Sequence, residues 1–142
     1  MTRYEDDFYT WTQEQRELLA AGRFDELDIE HLAEELDSMG ASERNALESR
    51  LIVLLMHMLK WQYQPGRRGR GWQFTIAEQR RSIMRHLRNN PGLKGRLSEI
   101  FTAAYGDARY RAEYETGLAL DTFPVDCPWT WEQVIDQEFM PQ

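Results

Sequence analysis

The chain has 142 residues, 42% hydrophobic and 29% charged, proportions that fit one folded domain and exclude a disordered chain. Its longest apolar run, Leu51 to Met56, falls far short of the roughly 20 residues of a membrane helix, and the single Cys127 excludes an intrachain disulfide framework. The net charge of −7 hides three blocks: 14 acids against four bases in residues 1–49, 11 bases against Glu78 alone in 50–96, and nine acids against Arg109 and Arg111 in 97–142. Such sorting speaks to partners and solubility rather than to fold.

Apolar spacing is helical almost throughout. A first helix is expected to start at Asp6 or Asp7, with Phe8, Trp11, Gln15, Leu18 and Leu19 on one face and Gly22 as its C-terminal cap. A short second helix follows: Asp28 caps it, Ile29, Leu32, Ala33 and Leu36 form its stripe, and Gly40 stops it. Ser42 then caps a third helix, about residues 43–64, which Pro65-Gly66 must end. At 1.5 Å per residue it is about 33 Å long. Leu47, Leu51, Leu55 and Met58 make one stripe, with Ile52, Met56, Leu59 and Tyr63 beside it, so this helix is expected to be central and buried.

Arg67 to Gly71 is too rich in glycine and charge for a helix and is expected to be a loop. A fourth helix spans about Gln73 to Asn89, with Ile76, Ile83 and Leu87 on its apolar side. Asn90-Pro91 opens a fifth, which carries Leu93, Leu97, Ile100, Phe101, Ala104 and Ala108 and ends at Gly117. Leu118 to Pro128 reads as an extended strap, and Thr130 to Gln133 as a capping box on a last short helix anchored by Phe139. The expected fold is a single all-α domain over residues 1–142: a helical bundle of about five main helices around the central one, with the strap and short helix at its end.

The string from Met56-His57-Met58 through Trp61-Gln62-Tyr63-Gln64-Pro65, followed by Trp72, resembles the central signature of a bacterial helical family known only as domain of unknown function twenty-nine. The resemblance extends through Glu34-Glu35, Leu47 to Leu51, Phe123 to Pro128 and Phe139-Met140-Pro141, about residues 4–142. It implies an all-α fold. It implies no activity, and so no catalytic residue.

The basic block is the first candidate site. Arg67, Arg68 and Arg70 lie between Lys60, Trp61 and Tyr63 on one side and Trp72 and Phe74 on the other, a chemistry that holds phosphates and stacks bases. Arg80, Arg81, Arg85 and Arg88 extend the positive surface along the fourth helix. The alternative is that these arginines pair with the acidic first, second and fifth helices, and an overall pI near 5.0 favours it. An exposed cluster of Trp61, Trp72 and arginines would mark a partner surface.

His31, His57 and His86 fall on three separate helices, and three convergent imidazoles could hold zinc or iron. The wheel sets them apart, with His31 facing water, and no pair has one-turn spacing, so no metal is expected. Glu34 and Glu35 point about 100° apart on one helix, which predicts pairing with Arg50 or Arg80 rather than acid–base work. Cys127 has no adjacent base, and Arg67 to Gly71 lacks the lysine and hydroxyl residue of a phosphate loop.

The expected role is therefore non-enzymatic, without cofactor or metal: a small interaction or regulatory module that self-associates through residues 60–88. A nucleic-acid or polyanion binder using the same surface is the second reading, and a helical metalloprotein the third. An N-terminus that turns acidic where a signal peptide turns apolar, together with the lone cysteine, predicts the cytoplasm and no membrane contact.

Overall fold

In the computed structural model, which describes residues 1–142, every regular element is helical and there is no strand. The helices are α1 (Phe8–Ala20), α2 (Ile29–Tyr63), α3 (Arg70–Asn89), α4 (Leu97–Thr116) and α5 (Trp131–Ile135), joined by short 3-10 turns. Length alone suggested one domain. The chain packs as two compact units, residues 1–42 and 43–142.

In unit 1, Asp7 caps α1 by accepting the Thr10 N–H at 3.0 Å. The C-terminal stop is a Schellman turn: Gly22 has φ +73°, its N–H donates to the Leu19 carbonyl, and the Arg23 N–H donates to that of Leu18. Asp28 then precedes α2 and accepts the His31 N–H at 3.4 Å. Only Trp11, Gln15 and Leu18 are buried here, a thin core for 42 residues.

The expected second and third helices are one. α2 runs unbroken for 35 residues through Gly40. A glycine stops a helix when it turns left-handed, as Gly22 and Gly117 do, with φ of +73° and +74°. Gly40 does not take that conformation, and Ala41 to Leu47 holds neither proline nor a β-branched residue. Propagation past one interior glycine costs only about 1 kcal/mol relative to alanine, less than renucleating a helix.

Unit 2 is built on the second half of α2. Leu47, Leu51, Leu54, Leu55, Met58 and Leu59 are fully enclosed, which places the core where the sequence stripe put it. Ile76, Ile83 and Leu87 of α3, Ile100, Tyr105 and Ala108 of α4, and Phe123, Trp129 and Val134 complete the cluster. The strap hangs on one face of α4 at successive turns. Tyr105 Oη donates to the Pro124 carbonyl at 2.6 Å, Arg109 Nε to that of Phe123 at 3.0 Å, and Glu113 accepts the Leu120 N–H at 3.1 Å. Thr130 and Gln133 form the expected capping box on α5.

Two boundaries moved. α3 begins at Arg70 rather than Gln73, after a 3-10 turn at Pro65–Arg67; the single Gly71 costs only about 1 kcal/mol of backbone entropy relative to alanine and does not prevent it. α4 begins at Leu97, because Gly92 and Gly95 hold Pro91–Arg96 in a 3-10 helix.

Nothing lies within 4 Å of a methyl group built on Gly40. Gly40→Ala is thus expected to stabilise the protein by about 0.5–1 kcal/mol in a denaturant melt. Destabilisation would mean that the helix breaks there.

Candidate functional site

α3 divides the basic block in two. At 100° per residue, Ile76, Arg80, Ile83 and Leu87 fall within about 60° of one another, and Arg70, Phe74, Arg81, Arg85 and Arg88 within about 60° on another side. The first group is buried and the second exposed. Arg80 therefore does not belong to the positive surface. It is 1% exposed, and its Nε donates to the Val134 carbonyl at 2.7 Å and an Nη to that of Gln133 at 3.4 Å. Burial pushes its pKa down, yet a guanidinium stays charged. It faces the end of α5, where the Val134 carbonyl lacks a backbone partner and a cation is favoured.

The Trp61 and Trp72 cluster is also packed rather than open. Trp61 is buried, and the Arg68 guanidinium sits 5.2 Å from its ring centroid. Arg68 Nε donates to the Trp61 carbonyl at 2.7 Å and an Nη to the Gln142 carbonyl at 3.0 Å. Lys60 lies 5.0 Å over the half-buried Trp72 ring. These two cations cover aromatic surface. Of the residues singled out from sequence, Arg67, Arg70, Arg81, Arg85 and Arg88 remain exposed.

The block is not neutralised by the acidic helices of its own unit. Arg81 pairs with Glu78 one turn back, Arg96 with Glu99, and His86 Nε2 lies 3.4 Å from the Glu43 carboxylate. No arginine of α3 pairs with a carboxylate of α4. The exposed face of α3 thus carries four guanidiniums, one aromatic ring at 64% exposure and Glu78 at its edge. From Arg70 to Arg88 it is about 27 Å long.

The histidines are engaged locally. His57 Nδ1 lies 2.8 Å from the Val53 carbonyl, and burial pushes its pKa down. His86 Nε2 is 2.9 Å from the Glu43 carbonyl. His31 does not face water: it is half-buried, stacked on Tyr4 with centroids 4.2 Å apart, and its Nδ1 is 2.8 Å from Asp28. Its Nε2 is 3.4 Å from Glu5. No three His, Cys, Asp or Glu side chains converge as a metal site would require. Burial pushes the Cys127 thiol up to about 11.

Asp28 is the hub of unit 1. It accepts the Trp11 indole N–H at 2.9 Å, while its own N–H donates to the buried Gln15 at 2.8 Å. Burial raises its pKa, but the bonds from His31 and Trp11 outweigh that and lower it. Glu35, expected to pair with an arginine, instead holds the Tyr4 hydroxyl, whose pKa it raises to about 12.

An open groove of about 400 Å³ lies beside this hub in unit 1, a feature sequence reasoning missed. Phe8, Trp11 and Leu19 of α1 line it with Leu32, Leu36 and Met39 of α2. Leu36 and Met39 are 66% and 64% exposed. The signal was available: the apolar stripe continues beyond what so short a segment can bury. Arg16 and Glu35 are its charged lining residues.

No helix is long and apolar enough to cross a membrane. A family model described as "Domain of unknown function DUF29" matches residues 3–140. The comparisons find no similar curated protein and no similar solved structure.

Arg80→Ala is expected to cost roughly 1.5–3 kcal/mol, because it leaves the buried Val134 carbonyl unpaired, whereas Arg85→Ala should stay within about 0.5 kcal/mol. Denaturant melts that rank the two variants the other way would show the helix phase to be wrong.

The bond from Asp28 raises the His31 pKa against the opposing effect of burial. A raised value in the folded state adds stability that is complete below about 6.5 and is lost as pH rises through the folded value. The melting-temperature gap between the natural chain and His31→Gln should narrow between about pH 6 and about pH 9. A gap that stays constant across that range would remove the charged pair from the account.

Proposed function

We propose that this chain, which belongs to the DUF29 family, is a non-enzymatic cytoplasmic interaction module that self-associates through the outward face of α3. The observation that carries the reading is the exposed row of Arg70, Phe74, Arg81, Arg85 and Arg88, in which Glu78 is the one acid paired to an arginine. Arginine and aromatic residues are the side chains that dominate binding energy, and arginine makes two-point contacts with carboxylates. The same chain supplies the complementary charge, since residues 1–42 hold 12 acids against three bases. A role without chemistry is favoured by the environment of the reactive groups. The Cys127 thiol stays protonated at neutral pH, and each imidazole is engaged by a carbonyl or carboxylate.

The second reading is a polyanion laid along the same face, favoured by the succession of guanidiniums at one-turn spacings in Arg81, Arg85 and Arg88. The acidic pI of 5.0 weighs against it, because nucleic-acid-binding domains are usually basic as a whole.

Sedimentation velocity separates the two. We expect the natural chain to self-associate at low salt and to weaken as salt rises. Replacing Arg70, Arg85 and Arg88 with glutamate should abolish association and leave the melting temperature nearly unchanged, since all three are exposed. Arg68 is left intact because it holds Trp61. A monomer that binds duplex DNA, with a log–log salt slope that falls by about 0.9 for each lost phosphate contact, would replace the first reading with the second.

A further inference from the structure

Unit 1 leaves an apolar groove open and has little else with which to hold itself together. Its buried side chains are Trp11, Gln15 and Leu18 alone. Phe8 and Leu19 on one wall are about half exposed, and Leu36 and Met39 on the other about two-thirds. A domain of some 40 residues ordinarily needs a disulfide, a metal or a partner to be stable. An apolar surface of this kind, rimmed by charge, marks a binding site.

We infer that this groove receives the α3 face of a second copy, with Phe74 seated against Leu36 and Met39 and the flanking arginines set against the acidic surface of unit 1. The inference rests on the α3 reading above and names its partner surface. Three features select this occupant. Unit 1 carries a net charge of −9 over residues 1–42, so groove-to-groove packing would oppose like charges, whereas a basic helix face is attracted. Phe74 is the large apolar side chain on that basic face, one turn from Arg70, and it is exposed. One charge pair is also on offer: Arg16 lines the apolar groove, and Glu78 edges the otherwise basic helix face.

Each copy has both a groove and an α3 face, so a contact made reciprocally closes as a dimer, whereas one made head to tail extends the assembly. The groove supplies the apolar burial and the arginines supply orientation and encounter rate.

The test uses two full-length variants, Leu36→Arg in the groove and Phe74→Asp on α3, with Met39→Arg as a second groove variant. Both principal positions are largely exposed, and circular dichroism checks that helix content is unchanged. Each variant alone should associate at least tenfold more weakly than the natural chain. An equimolar mixture should associate more tightly than either variant alone, though less tightly than the natural chain, because the Leu36→Arg copy's intact α3 can enter the Phe74→Asp copy's intact groove and restore one contact. Normal association of both groove variants, with loss only in Phe74→Asp, would overturn the inference and leave the α3 reading standing. Loss only in the groove variants would point to groove-to-groove packing and overturn it as well. Loss in both without recovery on mixing would overturn the pairing. A natural chain that stays monomeric would end both readings.

Discussion

Burial of the Arg80 guanidinium sets the arrangement of unit 2. It lies on the side of α3 that carries Ile76, Ile83 and Leu87, and it reaches the carbonyls of Gln133 and Val134 at 3.4 and 2.7 Å. A cation without a carboxylate partner is costly to bury unless its hydrogen bonds are met. Here the Val134 carbonyl, which lacks a backbone donor, and the Gln133 carbonyl, which the guanidinium shares with the Asp136 N–H, meet that requirement. With Arg80 turned inward the rotation of α3 is fixed, and Arg70, Arg81, Arg85 and Arg88 turn outward together. Gln137 adds a second tie by donating to the Ala77 carbonyl at 3.0 Å. The C-terminal segment and the exposed basic face are thus two consequences of one helix phase.

Unit 1 is organised differently. Its centre is polar: one carboxylate, Asp28, starts α2, receives the Trp11 indole and holds His31. Tyr4 stacks on His31 and meets Trp11 edge-on at 4.9 Å. Directional bonds can specify such an arrangement, but they add little net free energy, because each replaces a bond to water. Apolar burial, the larger contribution, is complete only at Trp11 and Leu18. This imbalance explains why Leu36 and Met39 stay exposed: no second layer exists within residues 1–42 for them to meet.

The sequence was legible where local rules and the tertiary outcome agree. Asp7, Gly22, Gly117 and Thr130 act as the caps their types suggest, and the Leu47 to Leu59 stripe is the core. It was illegible where one residue type serves two physical states. Gly40 has the identity of a stop but lies inside a helix, because a stop requires a left-handed turn and not merely a glycine. Arg80 and Arg81 are adjacent and chemically identical, yet one is enclosed and the other exposed, a distinction that depends on a C-terminal segment more than 50 residues away. Trp61 and Arg68 looked like a binding pair and instead cover each other. Charge type alone does not report which cations have backbone carbonyls within reach.

The sorting of charge acquires a definite meaning once the inward cations are removed from the count. Arg80 and Arg68 serve the fold, so the surface charge of the block resides in Arg67, Arg70, Arg81, Arg85 and Arg88. Exposed charges separated by more than about 8 Å are largely screened at physiological salt, so a face of this kind acts at contact range rather than at a distance. At contact range an exposed ion pair contributes only about 0–1 kcal/mol, too little to hold a complex unaided. A partner of the α3 face must therefore offer apolar surface as well as carboxylates, so that water is excluded around Phe74 and the guanidinium contacts strengthen in the drier interface. A flat polyanion supplies the charge without the apolar burial. The acidic unit of this same chain offers both, and that combination is why the self-association proposed above would account for the α3 face and the open groove together.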